Sequence, residues 1–298
     1  MSVSDDPNAD QREFWRNAEV WSDQQERLDM QLSHIGLAAM GVADDLRAGA
    51  HVLDVGCGCG QTSLQWSERV TGSVLGVDIS ELLIRVARRR VAEHASAHLE
   101  AAPISFAVVD AQTADIAGLA AGTAADNGSF DGFDLVYSRF GVMFFADPVA
   151  AFANLRAATR PGGQLSFVCW QRARNNPWLI SINKAVLEVV ELPPSDGPAV
   201  DPFAFADPDH VRGILDAAGW SGIALEPHDT ELVFSGGGTL EETVDFAMDL
   251  GIARRALKGH PPEVHEQVRE AVTAVLAPRQ TPAGVVFPAA TWIATARN

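Results

Sequence analysis

The chain has 298 residues, 47% of them hydrophobic, enough to bury a core, which sets aside disordered and fibrous classes. Its formal charge of −17 argues against nucleic acid and against an anionic membrane surface, because both call for an excess of Lys and Arg. The three cysteines, Cys57, Cys59 and Cys169, are too few for a disulfide framework, and a two-residue step is not zinc spacing, so no metal is expected. There is neither a basic start with an apolar run nor a stretch of about 18 apolar residues. The expectation is a cytoplasmic protein without a membrane span, monomeric or homodimeric, acting on a small molecule.

In chain order, residues 11–46 carry apolar positions at helical spacing: Phe14, Trp15, Ala18, Trp21, Leu28, Leu32, Ile35 and Ala39. Strands are expected at 51–55, 73–77, 104–109, 133–137 and 164–170, with helices at 62–69, 81–94 and 148–158 between them. Short apolar strands alternating with helices indicate a parallel sheet covered on both faces. Beyond it, 176–190 reads as a helix, 192–206 as a loop, and 209–218 as a helix stopped by Gly219. A strand at 223–234, helices at 240–250 and 263–276, and a closing strand at 285–296 complete the pattern. The run Arg88-Arg89-Arg90 reads as a solvated helix face with i,i+4 pairs.

The segment richest in chemistry is Asp54-Val55-Gly56-Cys57-Gly58-Cys59-Gly60, a buried strand running into a glycine loop and then a helix. Glycine permits a sharp turn and close approach of a ligand, and the helix that follows offers free N–H groups. Asp78, in Gly76-Val77-Asp78-Ile79-Ser80, ends the second strand about 20 residues on, where a carboxylate can accept from both ribose hydroxyls. The spacing is G-x-G-x-G, not the G-x-G-x-x-G of a dinucleotide fingerprint, and Asp54 would sit badly beside a pyrophosphate. It suits a cofactor whose end carries an ammonium. Asp110 and Ala111 end the third strand, where Asp110 can accept from an adenine amino group. Asp134-Leu135-Val136-Tyr137-Ser138-Arg139-Phe140 and Arg160-Pro161-Gly162-Gly163 follow in order.

With these motifs in sequence, the chain resembles a class I S-adenosylmethionine-dependent methyltransferase over residues 14–170. Phe167-Val168-Cys169-Trp170 and Asn176-Pro177-Trp178 are similar to a bacterial small-molecule branch related to quinone C-methyltransferases. The resemblance implies a doubly wound, mostly parallel, seven-stranded α/β sheet. An N-terminal helical lid is expected over residues 1–48, and a methyltransferase domain over 49–298 with acceptor-pocket insertions within 176–283, before the last strand. It implies S-adenosylmethionine as cofactor, held by Trp21 of the lid, Asp54, Gly56, Gly58, Asp78, Ile79, Asp110, Ala111, Ser138 and Phe140.

The acceptor is less legible. Arg139, Phe144, Trp170, Asn176 and Trp178 are its candidate contacts, and Val142 to Phe145 suggests an enclosed apolar pocket. His34 is either a base reaching in from the lid or a half-exposed helix residue. Arg139 either clamps an acidic substrate or pairs with a local carboxylate such as Asp147. The reading is methyl transfer to a small hydrophobic acceptor, with O-methylation of a carboxyl or hydroxyl first. C-methylation of a quinone-like ring, or cofactor binding without catalysis, are the alternatives. A nicotinamide oxidoreductase fails on loop spacing and on the single tyrosine, Tyr137, which has glycine four residues later.

Overall fold

The computed structural model describes residues 8–16, 18–43, 45–95, 100–123, 130–193 and 200–298. Residues 1–7 of the acidic start, and 194–199 of the loop expected at 192–206, lie outside them. The sheet is built from β1 (His51–Val55), β2 (Ser73–Asp78), β3 (Ile104–Val108), β4 (Phe133–Arg139), β5 (Thr159–Trp170), β6 (Ser221–Phe234) and β8 (Gly284–Arg297). Their order is β3-β2-β1-β4-β5-β8-β6, and a two-residue β7 (Gln280–Thr281) pairs with β8. β1 to β5 run parallel, and β8 lies antiparallel between β5 and β6. This is the mostly parallel sheet expected, with a short strand added.

β1 and β4 are buried almost throughout, as strands covered on both faces must be. Around them pack α4 (Gln61–Ser67), α5 (Glu81–Ala95), α6 (Ile116–Thr123) and α7 (Pro148–Ala157), then α8 (Pro177–Leu187) and α9 (Pro208–Ala217). Local chemistry fixes several starts. Asp147 and Asp207 cap α7 and α9, each ahead of a proline in the first turn, and Thr239 with Glu242 forms a capping box on α10 (Leu240–Asp249). α10, α11 (Gly251–Ala256) and α12 (Pro262–Leu276) form the helical insertion between β6 and β8.

The single amphipathic stretch expected at 11–46 is three helices: α1 (Ala9–Arg16), α2 (Glu19–Asp23) and α3 (Gln25–Gly41). α3 lies directly on the sheet. The Tyr137 hydroxyl donates to the Gly36 carbonyl (2.9 Å) and the Ser166 hydroxyl to that of Ala39 (2.8 Å). A Cβ on Gly36 would stand 2.9 Å from Cδ of Arg139, so a larger residue there would make the arginine side chain shift. The order turns from β1 outward in two directions, through β2 and β3 on one side and β4 and β5 on the other. The crevice at this switch point, beyond the carboxyl ends, is where such sheets bind ligands.

Candidate active site

The loop after β1 is held by backbone geometry. Gly56, Gly58 and Gly60 have φ of 65°, 54° and 83°, a region that side chains rarely adopt. A Cβ on Gly56 would meet Cα of Gly141 at 2.7 Å, so the loops after β1 and β4 touch backbone to backbone. A Cβ on Gly58 would meet nothing within 4 Å, because that glycine faces open space. The amides of Gly56 and Cys57 donate to the Val77 carbonyl, and the Gly58 amide donates to Oδ2 of Asp78 at 2.9 Å. The Ser80 amide donates to Oδ1 of Asp78 at 2.8 Å, and burial raises the carboxyl pKa despite these bonds.

Asp54 lies fully buried beneath this loop. Its Oδ2 accepts from Thr62 and Ser63 hydroxyls, both at 2.6 Å, whereas its Oδ1 has no partner. Desolvation pushes the carboxyl up to about 6, partly opposed by those two hydroxyls. An orphaned buried acceptor beside an open glycine cradle fits a bound group that ends in an ammonium. Burial raises the thiols of Cys57 and Cys59, the latter to about 12, so neither is a thiolate near neutrality.

At the end of β3, Asp110 accepts from the Gln112 amide (2.9 Å) and from the side-chain amide of Asn8 (2.8 Å). Asn8 also donates to Gln112 Oε1 and accepts from the Ala146 amide, which clips the start of α1 to the core. Next to it, Trp15 packs against Phe144 (ring centroids 5.6 Å) and Trp21 (5.5 Å). The Ser80 hydroxyl donates to the Trp15 carbonyl.

These features line one cavity of about 1300 Å³, above the roughly 300–1,000 Å³ usual for a single ligand. Of the residues singled out from sequence, Trp21, Gly56, Gly58, Asp78, Ile79, Asp110, Ala111 and Phe140 line it. So do Arg139, Phe144, Trp170 and Trp178. Phe140, with φ of 60°, stacks on Trp170 at 4.2 Å, and Trp178 packs against Trp170 at 5.2 Å.

Four candidates stand elsewhere: Asp54, fully buried beneath the β1 loop, does not line the cavity, and three others are occupied away from it. The Ser138 hydroxyl is spent on the Val55 carbonyl (2.8 Å) and the Gly141 amide, so it braces the two loops rather than facing the cavity. Asn176 is buried, bonded to backbone of Gln171 and Ala290, and holds α8 to β8. His34 does not line the cavity; it is exposed on α3, where partial desolvation lowers its pKa.

Arg139 and Arg90 each correct one expectation. Its partners are Asp29 of α3 (3.6 Å) and Gln61, while Asp147 instead caps α7. Asp29 also pairs with Arg90 (2.8 Å), which donates to the Cys59 carbonyl as well, so Arg90 does not belong to a solvated face. Asp29, Asn8, Gln61, Phe234 and Phe246 were not found by sequence reasoning. No motif marks them, since each is brought to the cavity by tertiary packing.

Residues 52–163 match the family described as "Methyltransferase domain". Over that segment, about a third of its length, the chain is similar to methyltransferase domains. Among similar proteins, an O-methyltransferase of Pyrenophora dematioidea is 32% identical over 118 residues, 40% of this chain and 38% of that protein. A demethylmenaquinone methyltransferase of Symbiobacterium thermophilum is 31% identical over 134 residues, 43% and 45% of the two chains. The chain thus spans less than half the length of the curated relatives it matches. The YcgJ protein of Bacillus shares the fold, with a TM-score of 0.52 at 14% identity over 89% of this chain and 98% of that one.

Proposed function

We propose that the chain transfers a methyl group from S-adenosylmethionine to a small hydrophobic acceptor. The observation that carries this is the single cavity joining the glycine loop, Asp78 and Asp110 to a wall of Phe140, Trp170, Trp178, Phe234 and Phe246. In this reading Gly56 and Gly58 admit the methionine part, the free oxygen of Asp54 takes its ammonium, Asp78 the ribose and Asp110 the adenine. The bound cofactor supplies an electrophilic methyl on a sulfonium. The chain's own work is to align the acceptor and keep water out, using α1 to α3 as a lid over the site and the aromatic wall behind it.

No histidine lines the cavity among the described residues, which favours an acceptor that needs no base. A carboxylate is such an acceptor, so carboxyl O-methylation comes first. The stacked Phe140 and Trp170 rings, together with the similarity to a demethylmenaquinone methyltransferase, support C-methylation of a quinone-like ring as the second reading.

The test is a titration with S-adenosylmethionine and S-adenosylhomocysteine, followed by labelled methyl transfer into fatty acids, phenols, quinols and amines. Asp78→Ala is the binding control. Binding of both ligands with label in a fatty acid or phenol is the expected result. Failure of both to bind would overturn the reading, and binding without label in any acceptor would favour a non-catalytic protein.

A further inference from the structure

The charged residues that line the cavity include carboxylates on the N-terminal helices and a cluster of cations on and after α11. Asp10 and Glu13 line the cavity on α1, whose start is clipped to Asp110 through Asn8. On α11 and the turn after it, the lining residues are Arg254, Arg255 and Lys258. All three are exposed, and among the described residues none enters an ion pair or a side-chain hydrogen bond. Other cations of the surrounding helices are matched: Arg269 with Asp245, Arg27 with Glu242, Lys184 with Glu188.

The segment is set firmly in place. Gly251 (φ 51°) turns the chain out of α10 and Gly259 (φ 84°) turns it away again, while Ala253, Ala256 and Leu257 are buried between them. The α10 end is tied to the start of α3, because Gln24 donates to Asp249 at 3.1 Å. Arg254 and Lys258 stand one turn apart, a like-charge spacing that repels in the absence of a counter-ion. They also line a groove of about 550 Å³ together with His265, and Asp249, which lines the main cavity too, is its one carboxylate. Three unneutralised cations within five residues, at the rim of an apolar chamber, run against a net charge of −17.

We propose that this rim binds an anionic group of the acceptor. The substrate would then be an amphipathic acid, with an apolar body among Trp178, Phe234 and Phe246 and a carboxylate, phosphate or sulfonate held by Arg254, Arg255 and Lys258. The inference rests on the methyl-transfer reading above, in that it places the acceptor in the same cavity. The anionic group at the rim is remote from the atom methylated, which must reach the sulfonium near Phe140.

The test uses one ring skeleton with and without an anion: 1-anilinonaphthalene-8-sulfonate and uncharged N-phenyl-1-naphthylamine, each followed by fluorescence with S-adenosylhomocysteine present. For the wild type, sulfonate binding that weakens with added salt is expected. In an R254Q/R255Q/K258Q variant, the sulfonate affinity should fall about tenfold. The uncharged probe should stay within about twofold, and S-adenosylhomocysteine affinity should not change, which also reports that the variant is folded. Absence of sulfonate binding to the wild type, or an equal effect of the variant on both probes, would overturn the rim site. Failure of S-adenosylhomocysteine to bind the wild type would instead sink the methyl-transfer reading, so the two failures are distinguishable.

Discussion

The two halves of the cavity are built by different means. The half around the β1 loop is made of backbone: positive-φ glycines, amide donors, and Gly56 against Gly141 with no side chain between them. The half formed by β5, α8, β6, α10 and α11 is made of side chains, ring upon ring, with cations at its edge. A backbone site tolerates few residue types at each position. A side-chain wall tolerates many of similar volume. Substitutions in the first half should therefore abolish binding of the shared ligand, whereas those in the second should retune the acceptor and leave that ligand alone.

The largest effect expected is that of Gly56→Val. It forces a β-branched residue to φ of 65° and drives its Cβ to within 2.7 Å of the Gly141 backbone, which cannot retreat without moving the end of β4. A loss of stability of about 2–4 kcal/mol is expected from strain and collision together. Denaturant titration would measure it, and S-adenosylhomocysteine binding should be lost in any folded fraction. Unchanged stability would mean that the two loops are not in contact.

Asp54→Asn comes next, and it carries a pH signature. The proposed contact of an ammonium with the free Oδ1 would need the carboxylate ionised, and burial pushes the folded group up to about 6. Wild-type affinity for S-adenosylhomocysteine should thus be flat at high pH and decline as pH falls through that value. Without ligand the sign reverses. Because the folded pKa lies above the ordinary 3.8, ionisation opposes folding, so this group's contribution to stability is greatest at low pH and is lost as pH rises towards 6. Asn should weaken binding about 10- to 100-fold and flatten both profiles, as calorimetry across pH would read. A steep pH dependence surviving in the variant would move the assignment to Asp78, whose carboxyl is also raised.

The same division explains what the sequence disclosed. Glycine at positive φ is nearly obligatory, so the loop and the aspartates at the ends of β1, β2 and β3 stand out in a single chain. Asp147 and Asp207, each followed by proline, mark their helices by capping chemistry alone. By contrast, no Gly or Pro marks the turn at Gln24 that separates α2 from α3, and apolar spacing runs on through it. Arg90 looked solvated because its neighbours in sequence are charged; its carboxylate partner, Asp29, is 61 residues away. Asn176 and Ser138 were legible as polar residues near the site, but whether an amide or hydroxyl faces a ligand or a carbonyl depends on backbone brought in from β8 or β1.

Trp178→Ala sharpens the contrast from the other side. The indole is half-buried, packed on Trp170 and on Phe234 at 6.4 Å, and removing it enlarges the wall without touching the β1 loop. Turnover of the best acceptor in labelled methyl transfer should fall about tenfold or more, from lost aromatic contact and looser alignment. Affinity for S-adenosylhomocysteine should stay within about twofold. An equal loss of both would show that the two halves are coupled rather than separable.

The smallest effect expected is that of His34→Asn, and it is the one most able to break the comparison. His34 sits on α3, part of the proposed lid, where a base from outside both halves would come from. The side chain is exposed, and partial desolvation holds its pKa below the ordinary 6.5, so it is largely neutral at pH 7. A lowered folded value makes protonation oppose folding. The wild type should lose a little stability from this group as pH drops below about 6.5, an effect solvent screening keeps small, and the variant should lose that slope with its stability at neutral pH unchanged. The pH profile of kcat/KM for methyl transfer should superimpose on that of the wild type. Disappearance of an acid-side limb in the variant would instead make His34 a general base, and catalysis would then draw on a third region that neither half contains.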